Sequence, residues 1–124
     1  MTQEDKELLL KDLCARLPYG VKVEITHWRN RDKGMIDSKI FRVPLDVNKA
    51  SILIKPTSDI RPYLFPLSSM TAEQIKEFNN ITQKCSTYIG KSILLTDFCN
   101  KHHFDYRHLI DKGLALDATG MGIY

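Results

Sequence analysis

The chain is poor in cysteine: Cys14, Cys85 and Cys99 are three widely spaced thiols, and no CxxC pair occurs. An odd, scattered set of this kind excludes a disulfide framework and a zinc knuckle. Each falls at an apolar helical position, where free cysteine behaves as a small hydrophobe. Long hydrophobic runs are also missing. The N-terminal apolar run is only Leu8-Leu9-Leu10, after the acidic Glu4-Asp5-Lys6-Glu7, which suits neither a signal peptide nor a membrane span. There is no GxGxxG and no Walker-type loop, and Gly120-Met121-Gly122 has no helix after it, so nucleotide phosphate binding is excluded. Charge of one sign is scarce: the net charge is +3, with acids and bases interleaved, and no basic face marks a nucleic-acid binder. These absences lead to the expectation of a reduced, soluble, cytoplasmic protein with no cofactor and no membrane association.

Apolar residues make up 43% of the chain and charged residues 27%, the balance of a globular protein. A chain of 124 residues fits a single domain, 1–124. Folding at this length buries roughly two-thirds of the unfolded surface, enough for a core without staples. Thr2 with Asp5 forms a capping box before Leu9, Leu10, Leu13, Cys14 and Leu17, a helical stripe closed by Pro18 and Gly20. The period then changes to two: Val23, Ile25 and His27 alternate with Lys22, Glu24, Thr26 and Trp28, predicting a half-buried strand. A second strand is expected near 35–43, ending at Pro44, and a third at 51–55, ending at Pro56. Residues 57–70, with Pro62 and Pro66, read as an extended apolar strap. Thr71-Ala72-Glu73-Gln74 is a full capping box. It opens a helical stripe of Ile75, Phe78, Ile81 or Thr82, Cys85, Tyr88 and Ile89, closed by Gly90. A further helix over 93–102 buries Leu94, Leu95 and Phe98. Asp105 caps a last short helix over 106–112, with Gly113 at its end. The tail adds one short strand before residues 118–124 fray. The predicted class is α+β: a small, mostly antiparallel three-stranded sheet packed by an N-terminal helix and two or three C-terminal helices.

Two blocks carry a resemblance: Ile60-Arg61-Pro62-Tyr63-Leu64-Phe65-Pro66-Leu67-Ser68-Ser69-Met70-Thr71, and His103-Phe104-Asp105-Tyr106-Arg107 with Gly113-Leu114-Ala115-Leu116-Asp117-Ala118. In this order they resemble a group of small proteins of gut Bacteroidales and of their phages and mobile elements. The match covers most of the second half of the chain. It departs from the group at Phe65, where a basic residue is expected, and at His108, where glycine is expected. The group has no established activity, so the resemblance implies a phage or mobile-element accessory protein and no chemistry.

The densest constellation is His102 to Gly113, with three histidines, two aspartates, a tyrosine and an arginine. A metal site on His102, His103, Asp105 and His108 lacks the paired i, i+4 histidines of an HExxH helix. His103 as a base oriented by Asp105, with His108 nearby, is the catalytic alternative, yet no GxSxG elbow accompanies it. Ser68-Ser69 precedes a helix start and reads as capping. Trp28, Arg29, Arg31 and Lys33 at a hairpin tip read as a protein-binding cluster, or as the cover of a core edge. Tyr106 and Arg107 read as a helix anchor, Arg107 pairing with Asp111, or as further binding residues. The expectation drawn from these is a non-enzymatic adaptor that binds an unidentified protein. The runners-up are a metal-independent hydrolase or nuclease using His103, Asp105 and His108, and a nucleic-acid-binding module.

Overall fold

The computed structural model describes residues 2–30, 35–36, 41–44 and 58–124, with side chains left undescribed at 27–30, 35–36, 41–43 and 58. Helix α1, Gln3–Arg16, starts as expected: Thr2 accepts from the Asp5 N–H, and the Asp5 carboxylate accepts from the Thr2 N–H. Its buried stripe is Leu9, Asp12, Leu13 and Arg16, at the i, i+3, i+4, i+7 spacing of one helix face. Leu10 and Cys14, expected on that stripe, are exposed instead. They fall outside the arc that Leu9 and Leu13 press against the sheet.

Strand β1, Lys22–Asn30, is central. It pairs antiparallel with β2, Met35–Ile36, at one end and with β3, Phe41–Pro44, at the other. The register shifts between Trp28 and Asn30, where a two-residue step in β1 faces a one-residue step in β2. Val23 and Ile25 are buried as the alternation requires, but Thr26, expected on the outer face, is buried too. The expected strand at 51–55 lies outside the described residues.

The strap reading of 57–70 is corrected. Ser58–Leu64 is a full strand, β4, antiparallel to β1 from Ser58 to Pro62. Pro62 sits opposite Val23 and is fully buried, while β5, Leu116–Asp117, joins β4 in parallel only from Tyr63 onward. A proline ring cannot donate to a ladder, and here the parallel ladder starts one residue after it. The sheet is mixed but mostly antiparallel, and the protein is α+β as expected.

Helix α2, Ala72–Lys84, opens on the expected capping box between Thr71 and Gln74. It ends at Cys85, and α3, Tyr88–Lys101, begins after its own N-cap, Thr87. Gly90 therefore does not close a helix. It lies in the first turn of α3, where its N–H donates to Thr87 Oγ1 and a Cβ would stand 2.7 Å from that oxygen. The two helices share a cluster of Phe98, Cys99 and Phe104 with Phe65, Met70, Phe78 and Ile81. The larger cluster joins Leu9 and Leu13 of α1 to Val23 and Ile25 of β1, Ile60 and Leu64 of β4, and Leu109 and Leu114. Among the described residues no helix is long and apolar enough to cross a membrane.

Candidate functional site

The expected helix over 106–112 is absent; the chain makes turns there. His108 has φ 58°, a left-handed conformation that interrupts any helical path and that glycine adopts without strain. What forms is a single turn at 109–113, closed by Leu114 N–H on Leu109 O and Gly113 N–H on Ile110 O, with Gly113 left-handed. Asp105 caps this displaced turn. One carboxylate oxygen accepts from the Leu109 N–H and the other from the Ile110 N–H, both at 2.9 Å.

The backbone of the block is stitched to the end of β4. Phe65 N–H donates to His103 O and Asp105 N–H to Phe65 O, each at 2.8 Å. From the other side it is held by α1. Arg16 is fully buried; its Nε donates to Asp12 at 2.7 Å and its Nη2 to Phe104 O at 2.6 Å. Arg107 donates to the second Asp12 oxygen at 3.2 Å, and not to Asp111 as the sequence spacing suggested. Both guanidiniums lie over the Tyr106 ring, 5.2 and 4.9 Å from its centre. The Tyr106 hydroxyl donates to Asn100 and accepts from Arg107. One carboxylate thus serves two cations, helped by the ring face and a carbonyl, while Arg16 Nη1 is buried without a hydrogen-bond partner among the described residues.

The three histidines go separate ways. His102 packs against Phe98, ring centres 4.7 Å apart, with its Nε2 3.6 Å from Glu77. His103, also left-handed at φ 62°, stacks on Tyr124 at 3.8 Å and 14°. Burial, then the charges of Arg16, His102 and Lys22, push its pKa down to about 4. His108 is exposed, 3.9 Å from the exposed Asp111. No hydrogen bond or ion pair joins the side chains of His103, Asp105 and His108, and among the described residues no group of three potential ligands is placed to hold a metal. Tyr124, in the stretch expected to fray, donates to Tyr63 O and accepts from the Lys22 N–H, and Lys22 Nζ donates to Ile123 O. Burial pushes the Tyr124 hydroxyl up to about 12. Of the hairpin cluster, Arg31 and Lys33 lie outside the described residues, and for Trp28 and Arg29 only the strand backbone is described.

The outward-looking feature is on α3. Tyr88, Ile89, Ile93 and Leu94 are 85%, 73%, 57% and 44% exposed, although Tyr88 and Ile89 were expected on the apolar stripe of the preceding helix and Leu94 in the core. Ile89, Ile93, Asp97 and Lys101 follow one another at i, i+4, so the exposed row is apolar in its first half and charged in its second. Sequence reasoning misses this row because Gly90 reads as a helix end, which assigns Tyr88 and Ile89 to the stripe of the preceding helix and starts the next one at Ile93. It also misses Asp12 and Arg16, whose buried partners come from the far end of the chain.

No protein-family model matches the chain, and comparison with curated proteins and with solved structures gives no match.

Proposed function

We propose that the protein acts by binding another protein through the outer face of α3. The observation that carries this reading is the exposed apolar group Tyr88, Ile89, Ile93 and Leu94. Four large apolar side chains exposed within seven residues of one helix favour an interaction site over a bare surface. The partner presents a complementary apolar patch, flanked by charges that suit Asp97 and Lys101. The reading is of a cytoplasmic, non-enzymatic adaptor; its assignment to a phage or mobile element rests on the resemblance of the 60–71 and 103–118 blocks. Against acid–base chemistry at His103, Asp105 and His108 stands the separate engagement of each side chain: a ring stack, two backbone donors, and solvent.

The test is affinity purification of the tagged protein from its native cell, with and without nuclease, beside Ile89→Glu/Ile93→Glu. The expected result is a stoichiometric protein that survives nuclease and is lost from the double variant. Nucleic acid recovered alone would replace this reading with nucleic-acid binding. A partner retained by the double variant would move the interface elsewhere.

A further inference from the structure

A pocket of about 290 Å³ opens between α2, α3 and the turn before α2, walled by Leu67, Met70, Phe78, Leu95, Cys99 and Tyr106. It is a cleft open to solvent on one side, and its lining is almost wholly apolar. We propose that this pocket binds a small, uncharged, largely apolar molecule of about two fused rings. The site is separate from the outer row of α3.

Size sets the first limit. A cavity of about 150 Å³ lined by aliphatic and aromatic side chains holds a benzene. The pocket has nearly twice that volume, so a single phenyl ring of a partner's side chain would fill about half of it. Charge sets the second. None of the lining residues is acidic or basic. Burial pushes the Cys99 thiol up, which keeps it neutral at physiological pH. A charged guest would lose its hydration here with nothing in exchange. Hydrogen bonding sets the third. The Tyr106 hydroxyl already serves Asn100 and Arg107, whereas the Thr96 hydroxyl, also on the wall, makes no hydrogen bond within the described residues. A guest with one hydroxyl or carbonyl on an apolar frame meets all three limits.

The probe is 2-naphthol, titrated into the full chain and followed by its own fluorescence and by amide chemical shifts. Met70→Trp places an indole in the pocket from a partly exposed position, and its thermal midpoint reports whether it remains folded. The expected result is saturable one-site binding with shifts confined to the pocket walls, and at least tenfold weaker binding to Met70→Trp. Ile89→Glu/Ile93→Glu should bind 2-naphthol as the parent does, which separates this site from the protein-binding row. Absence of saturation, or shifts spread over 88–94, would overturn the proposal. So would loss of the captured protein partner from Met70→Trp without any naphthol binding to the parent, because the pocket would then receive a partner's side chain.

Discussion

Replacing Asp105 with alanine separates two accounts of the C-terminal block. If Asp105 were an ordinary helix N-cap at the surface, its loss would cost about 1 kcal/mol. The structure assigns it more. Its two oxygens accept from the Leu109 and Ile110 N–H groups at 2.9 Å, the residue is buried, and Leu109 is fully enclosed in the main core. Removing the carboxylate leaves the buried Leu109 N–H and the half-buried Ile110 N–H without their acceptors. Hydrogen bonds to charged acceptors contribute about 1.5–3 kcal/mol each, and two that share one carboxylate are not fully additive. A loss of about 3 kcal/mol is expected, on the order of 10 °C in Tm for a chain of this size. Asp105→Asn should fall close to it, since the amide keeps one acceptor but turns a donor toward the other N–H. Urea unfolding followed by circular dichroism reads the difference as a lower midpoint at unchanged slope. A loss of 1 kcal/mol or less for Asp105→Ala would refute the two-donor account.

Other consequences follow from the same contacts. Asp12→Ala should destabilise by about 3–5 kcal/mol in urea unfolding, because it leaves the buried Arg16 cation without its carboxylate; a loss under 1 kcal/mol would mean that Tyr106 and Phe104 O suffice. His108→Gly should raise stability by up to about 1 kcal/mol, as glycine relieves the left-handed strain; a fall in Tm would contradict this. His103 has a folded pKa of about 4 against an ordinary 6.5, so both states are neutral above pH 6.5 and its share of stability is intact there. As pH drops from 6.5 toward 4 the unfolded chain takes up the proton first and that share is lost. Thermal midpoints at pH 7 and 5 should therefore fall further for the parent than for His103→Asn, which tolerates the left-handed backbone; parallel falls would argue against a buried neutral imidazole.

Much of the fold was legible because local chemistry and tertiary context agree. Thr2 with Asp5 and Thr71 with Gln74 announce two helices, and the alternation around Val23 and Ile25 announces the central strand. Legibility failed where one residue carries two meanings. Pro62 and Pro66 made 57–70 look like a strap, yet a buried strand tolerates Pro62 where no parallel partner asks for its N–H. Asp12 and Arg16 at i, i+4 look like a solvated surface pair. Their burial depends on Phe104 O and Arg107, about ninety residues away in the chain, and no local pattern reports that. Asp105 and Gly113 do bound a turn, but His108 turns left-handed between them and no helix forms over 106–112. The outer row of α3 is hidden by Gly90, which reads as a helix end yet lies in the first turn of that helix.

Hydrogen–deuterium exchange of the protein, free and in complex with the partner it captures, tests the central claim most directly. Amides of 88–94 are expected to gain protection in the complex, while those of the 103–113 block, already tied to β4 and α1, change little. Protection confined to the 103–113 block, with 88–94 unchanged, would contradict the assignment of the binding face to α3.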